Sequence, residues 1–365
     1  MLSIRRNSEP KSPSSTVRFS TALSTPVREQ LSRSCPAKIN LMLRVLGKRA
    51  DGFHELETVM LPVNFCDQLS ATLRADSQFK LRVLQDACSQ ATSAVPGTDG
   101  KQSPATSPQS TVEIVPTDQR NLIIRVAEGF RQRLLNDMDS SRLQSDSQYQ
   151  ITGVDFQLRK RIPAGAGLGG ASSNAATALK LLNELWNVHW PNEKLAEFSA
   201  SYGSDIPFFF TRQAAYCQGR GERISAFPAD CSKWMVVVRP SFGLSTPEVF
   251  RELNAAAVDD SAGTSWERDS VNPDSILSQI RHGQWIRVSQ ALVNDLVEPA
   301  RRLRPELGEL EKKIRRTQPL GMTMSGSGSC YFAVYPSRRT ATIAAQHLRN
   351  QNVGRAFVVR PTVAP

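Results

Sequence analysis

The stretch KRIPAGAGLGGASSNAATALKLLNELW, residues 160–186, sets the tightest limits on what this chain can fold into. Gly165, Gly167, Gly169 and Gly170 fall close together and run into Ser172, Ser173 and Asn174. A helical apolar stripe follows, made of Ala175, Ala178, Leu179, Leu182 and Leu185 with Trp186. A segment of glycines interleaved with mostly small side chains lets a ligand approach the backbone, and its successive N–H groups can converge on an anion. The helix after it points its positive end at the same place. A polyphosphate is the natural guest. A plain turn with a serine N-cap accounts for one or two of these glycines, not for four together with two serines and an asparagine.

Context excludes two other phosphate loops. Gly165-x-Gly167-x-x-Gly170 fits the dinucleotide fingerprint, which requires a second strand ending in an acid about 20 residues on. Here that acid is Glu184, inside the helix, and a loop and another helix follow. The nucleotide-binding loop that ends in Gly-Lys is excluded because no lysine follows the glycines.

Strands and helices alternate around this stretch. Ile39, Leu41, Leu43 and Val45 predict a strand within residues 35–47; 69–75, 79–85 and 149–163 read as strands too. Residues 121–135 and 192–203 read as helices. A buried-strand pattern at 233–243 opens a second half, with helices at 273–292 and 301–318, a strand at 330–335, a helix near 338–350 and a strand at 355–361. The expectation is an α+β fold with two domains, 35–230 and 231–365. Residues 1–34, rich in Ser, Arg and Pro, read as a disordered extension, and 86–112, rich in Ser, Thr, Pro and Gln, as a flexible insertion in the first domain. The extension also fits an organelle transit peptide, against which stand Glu9, Glu29 and its weak amphipathicity.

Composition removes several functions. No apolar run is long enough to span a bilayer. Six cysteines without a CxxC pair, and His54, His189, His282 and His347 without ligand spacing, argue against a disulfide framework or a metal site and for a reduced interior. The net charge is +11, which raises the question of nucleic acid. Yet residues 1–34, 301–316 and 317–365 carry +4, +4 and +5, leaving 35–300 at −2. The basic excess lies away from the glycine stretch.

An ordered series of motifs, PAKINLMLRVLGKRADGFHELET (36–58), IPAGAGLGGASSNAATAL (162–179), GSDIPFFF (203–210), GRGE (219–222) and MSGSGSCYFAVY (324–335), resembles the GHMP kinase superfamily. Within it the series is most similar to the kinases of 4-diphosphocytidyl-2-C-methyl-D-erythritol in non-mevalonate isoprenoid synthesis. The resemblance spans roughly residues 35–360. It implies an N-terminal nucleotide-binding domain, a ferredoxin-like C-terminal domain and an active site between them. It implies ATP, with Mg²⁺, and a small-molecule substrate carrying cytidine diphosphate, which is phosphorylated at its 2-hydroxyl.

By the same resemblance, Pro163, Ala164, Gly165, Ala166, Gly167, Leu168, Gly169, Gly170, Ala171, Ser172, Ser173 and Asn174 hold ATP, and Asn121 and Lys160 contact its adenosine part. Asp205 is the general base, with Lys38 beside it favouring the carboxylate form and orienting the hydroxyl. Phe53 and Phe250 stack on the cytosine from its two sides, and His54 bonds its edge. Asn40 and Thr246 stand near the substrate, and Gly326 and Gly328 close over the transferring phosphate. Ala171 replaces a usual glycine and Phe53 a usual tyrosine. On spacing alone, Asp205 reads first as an N-cap, Lys38 as a solvated strand lysine and His54 as a surface group, while residues 325–329 read equally as a hairpin turn. The rival functions are another kinase of the superfamily, of homoserine or mevalonate type, and an RNA-binding module. The expected setting is cytoplasmic, or plastid if residues 1–34 are a transit peptide. The expected protein is a monomer or homodimer with no nucleic-acid or membrane partner.

Overall fold

Two long strands, β1 (Gln30–Lys48) and β2 (His54–Leu73), form an antiparallel ribbon that reaches across both halves of the molecule. The computed structural model describes residues 30–85, 115–140, 151–259 and 272–362. The ends of β1 alternate between exposed and covered positions, as a half-buried strand must, but residues 37–43 are buried on both faces. Ala37, Ile39 and Leu41 there belong to a core that also contains Met235, Val237, Phe332 and Val334 from the second half.

The ribbon anchors the first sheet. Its further members are β3 (Phe79–Gln85), β4 (Val154–Lys160), β5 (Ala214–Gly219) and β6 (Arg223–Phe227). Helices α1 (Leu122–Ser140), α2 (Gly170–Leu185) and α3 (Asn192–Ser199) build the core that contains Phe130, Phe156, Leu179 and Trp186. The chain then passes to β7 (Trp234–Arg239), α4 (Thr246–Asp259), α5 (Pro273–Arg281), α6 (Trp285–Gln290), the two-residue β8 (Val293–Asn294), α7 (Val297–Leu303), α8 (Glu306–Arg315), β9 (Gly321–Met324), β10 (Tyr331–Tyr335), α9 (Arg338–Asn350) and β11 (Arg355–Val359).

The first sheet runs β3-β4-β2-β1-β8, with β5 also pairing β2 and carrying β6. The second runs β11-β7-β10-β9, and all its neighbours are antiparallel. With helices between β7 and β9 and between β10 and β11, this is the βαββαβ pattern of a ferredoxin-like domain. The α+β expectation therefore holds. The chain leaves the first sheet at Phe227 and enters the second at Trp234, but β8 returns to pair in parallel with Met42 and Leu43 of β1.

Several sequence boundaries need correction. Residues 30–34, assigned to the disordered extension, are strand and pair with Gln68–Thr72. Their polar composition is overridden by main-chain pairing to a longer partner, with Leu31 packed on the first core. The stretch 273–292 is two helices because Gly283 turns the chain at φ 67. The stretch 301–318 is also two, divided at Arg304 and Pro305, since proline cannot donate within a helix. The rest of the extension and the insertion at 86–112 lie outside the described residues.

Candidate active site

The glycine stretch starts its helix earlier than its serines suggest. Gly169 is the N-cap of α2 at φ 68, with no side chain capping the amides, and Ser172 and Ser173 lie inside the first turn. The serine-capped turn is thereby excluded, and the first amides of α2 face the loop mouth uncapped. Gly167 has two reasons to be glycine. Its φ is +76, and a Cβ would lie 1.9 Å from the Ser325 carbonyl oxygen. The loop is clamped by main chain on both flanks: Lys38 N–H donates to Leu168 O at 2.9 Å and Cys330 N–H to Ala166 O at 3.3 Å. Ser325 Oγ donates to Gly167 O at 3.0 Å. The SGSGS turn is thus packed on the loop, more than a bare hairpin.

Beneath the loop stands a charged pair. Lys38 is almost fully buried, and its Nζ lies 3.5 Å from Asp205 Oδ2. The same Nζ donates to Asn40 Oδ1 at 2.7 Å. Asn40 Nδ2 donates to Thr58 Oγ1 at 2.8 Å, and Thr58 donates to the Met42 carbonyl at 2.6 Å. Lys38 and Asn40 share a face of β1 because they are two residues apart. Asp205 is not an N-cap: the short 3₁₀ helix after it, Pro207–Phe210, is capped at Ile206 with no side-chain bond. That helix is wholly buried and fixes Asp205 at the cleft edge. Lys180 of α2 supports it by donating to Phe209 O at 2.6 Å. Burial, and then the nearby Arg212 and Arg33, lower the Lys180 ammonium to about 8.

At the far end of the cleft the aromatic groups pack on neighbouring side chains. Phe250 stacks on His54, with ring centroids 4.7 Å apart, so the histidine covers one face of the ring. His54 Nε2 pairs with Asn254 Oδ1 at 2.9 Å. Phe53 is exposed, with the Arg220 guanidinium 4.7 Å from its ring centroid. Thr246 Oγ1 lies 2.6 Å from Ser327 Oγ, joining α4 to the SGSGS turn.

These groups line one cleft of about 800 Å³. Its walls include Lys38, Asn40, Phe53, His54, Asn121, Lys160, residues 163–172, Asn174, Asp205, Thr246, Phe250 and Gly326. Two expected residues do not line it. Ser173 is fully buried on the core side of α2, and Gly328 faces Met324 and Leu244. Asn121 lines the cleft but already serves the fold, its Oδ1 accepting from Ile123 N–H at 2.9 Å at the start of α1. Lys160 is likewise engaged, donating to Asp67 Oδ2 at 2.7 Å.

Sequence reasoning missed Asp67, Asn254, Asn294, Lys48, Arg220 and Arg251. Asn294 holds the SGSGS turn down, donating 2.8 Å bonds to Met324 O and Gly326 O. An acid among Phe65, Cys66 and Leu69 in NFCDQL was the one available signal for Asp67. Among the described lining residues, Asp205 is the sole carboxylate, against Lys38, Lys48, Lys160, Arg220 and Arg251. A chain stretch near neutrality overall therefore presents a cationic cleft, suited to a polyphosphate.

Residues 121–213 match the family model described as GHMP kinases N terminal domain, and residues 276–354 the one described as GHMP kinases C terminal. The 4-diphosphocytidyl-2-C-methyl-D-erythritol kinase of Brevibacillus brevis is 31% identical over 306 residues, covering 84% of this chain and 87% of that protein. The protein of the same name from Protochlamydia amoebophila is 32% identical over 317 residues, covering 85% and 86%. This chain belongs to the GHMP kinase family. Among solved structures, the kinase is similar to a 4-(cytidine 5'-diphospho)-2C-methyl-D-erythritol kinase, with 29% identity, TM-score 0.64 and coverage of 91% and 99%. It shares its fold with a homoserine kinase from Cytophaga hutchinsonii at 15% identity, TM-score 0.61 and coverage of 93% and 96%. The enzyme reading holds over the RNA-binding alternative. No helix among the described residues is long and apolar enough to cross a membrane.

Proposed function

We propose that this kinase transfers the γ-phosphate of ATP to the 2-hydroxyl of 4-diphosphocytidyl-2-C-methyl-D-erythritol. The observation that carries the reading is the Lys38–Asp205 pair, 3.5 Å apart at the foot of an uncapped glycine loop, with Asp205 the sole carboxylate among the described cleft residues. Phosphoryl transfer asks the protein for alignment and charge neutralisation more than for covalent chemistry. The loop amides and the α2 N-terminus grip the triphosphate. Asp205 takes the proton of the alcohol as its oxygen bonds to the γ-phosphorus, and the bond to the bridging oxygen breaks to release ADP. Lys38 holds the attacking oxygen and the transferring group together.

The cluster of Phe53, His54 and Phe250 favours a substrate bearing a base over homoserine or mevalonate. The base stacks on Phe250, and His54 turns to the edge of the base. Rotamer changes of this size commonly accompany binding.

Mg²⁺ fits as a cation carried by the nucleotide. No group of three or more His, Cys, Asp or Glu among the described residues could hold a metal alone. Mg²⁺ usually binds through one or two carboxylates with substrate phosphates and water, and Asp205 is the carboxylate at hand. When bound, the ion would neutralise developing phosphate charge.

The described cysteines Cys35, Cys66, Cys217, Cys231 and Cys330 are all free, which fits a reducing setting. Phosphorylation assays with the cytidine diphosphate alcohol, homoserine and mevalonate test the assignment. Turnover confined to the first is expected; preference for either of the others overturns it.

A further inference from the structure

We infer that Asp67, on β2 behind the glycine loop, is the positioning residue that builds the nucleotide end of the cleft. The inference rests on the reading of this cleft as an ATP site. The Asp67 side chain is fully buried. Its Oδ1 accepts the N–H groups of Arg161 and Ile162, both at 2.7 Å. Its Oδ2 accepts Lys160 Nζ at 2.7 Å and Asn174 Nδ2 at 3.0 Å.

These four donors have one thing in common. Lys160, Arg161 and Ile162 are the last residues before the loop, and Asn174 is the fifth residue of α2 just after it. A single carboxylate therefore ties the entry and the exit of the loop to one point on β2. The loop between them owes its shape to glycines at positive φ, which by themselves impose no single conformation.

The same carboxylate aims a cation. The Lys160 ammonium has three protons. Among the described residues two are used, one by Asp67 and one by the Ile162 carbonyl. The lysine lines the cleft, and its Nζ lies 3.2 Å from where a Gly170 Cβ would stand. The remaining proton is available to a nucleotide at the loop. A buried ion pair is a poor device for stability, because apolar groups of like volume serve as well or better. Its placement behind a ligand loop gives it a use that apolar packing would not supply: fixed donors and a fixed charge before the ligand arrives.

The test is equilibrium binding of a non-hydrolysable ATP analogue and, separately, of CDP to the full chain. Asp67→Asn has one acceptor oxygen for four donors. It is expected to weaken analogue binding about tenfold while CDP binding stays within about twofold. Lys160→Gln alone should reproduce much of that loss. The double variant should lose less than the sum, since the two act as one unit. Unchanged analogue affinity in a folded Asp67→Asn protein overturns the inference. So does equal weakening of both ligands in step with a lower Tm, which marks a merely structural role. If Asp67→Asn does not fold, wild-type analogue affinity in Lys160→Gln overturns it instead. Analogue binding is read without the alcohol, so failure of the substrate assignment leaves this result standing on its own.

Discussion

Lys38 and Asp205 divide their work by exposure: 4% of the lysine side chain is accessible, against 33% of the aspartate. The cation is locked in the sheet, and the carboxylate is left at the cleft edge, as the general-base role proposed for it requires. Asp205→Ala should lower kcat by about 10³ while analogue binding stays within about twofold, because general-base catalysis contributes roughly 10²–10⁴. Steady-state rates and a binding titration check both halves. The buried thiols show the opposite principle, in which burial silences a reactive group. Burial pushes Cys35 and Cys330 up to about 12 from 9.0. Alkylation followed by mass spectrometry should therefore modify the half-buried Cys66 and Cys231 long before these two. A raised folded pKa means that the stability from these thiols is complete below pH 9 and is lost as pH climbs from 9 towards 12.

The glycine loop shows how one element carries two constraints at different positions. A Cβ at Gly165 would meet nothing within 4 Å, though φ is +59, whereas at Gly167 it would meet the Ser325 carbonyl at 1.9 Å. Gly165→Ala is therefore expected to cost about 1 kcal/mol of strain and leave activity measurable. Gly167→Ala should separate the loop from the SGSGS turn and reduce kcat/KM for ATP by at least about tenfold. Helix α2 bears a further cost in Lys180, a cation held at about 8 by burial. Its folded pKa lies below the unfolded value of 10.5, so wild-type stability rises as pH increases from 8 to 10.5. Lys180→Met should stabilise the protein at pH 7 by about 1 kcal/mol, part of the gain from desolvation being offset by the lost bond to Phe209 O. That advantage should narrow as pH rises through the window, which denaturant titrations at several pH values would show.

The two sheets share a core. Ile39 and Leu61 from the ribbon pack in one cluster with Met235, Phe332 and Val359 from the second sheet, and β8 hydrogen-bonds back onto β1. Halves joined by buried apolar surface unfold together more readily than halves joined by a linker. Calorimetry should give one transition. Phe332→Ala, which removes a fully buried ring, should lower it as a whole at a cost of about 3–5 kcal/mol. Two resolved transitions would contradict this picture. The same junction makes the cleft: the loop belongs to the first sheet and the SGSGS turn to the second, and Asn294 on β8 holds the turn in place.

The amino-acid sequence by itself determined the glycine loop, its helix and the α+β class, because glycine clusters and apolar periodicity act over short range. It also marked Lys38 and Asp205 through the motifs around them, though spacing alone left both open to ordinary roles. The tertiary structure decided what depends on residues far apart in the chain. It placed Asp67 under the loop 93 to 107 positions away from its partners. It assembled five cations around one carboxylate in a stretch of little net charge. It set His54 against Phe250 and turned Ser173 into the core. Local pattern fixes which groups a backbone can offer; only packing between distant elements fixes what those groups face.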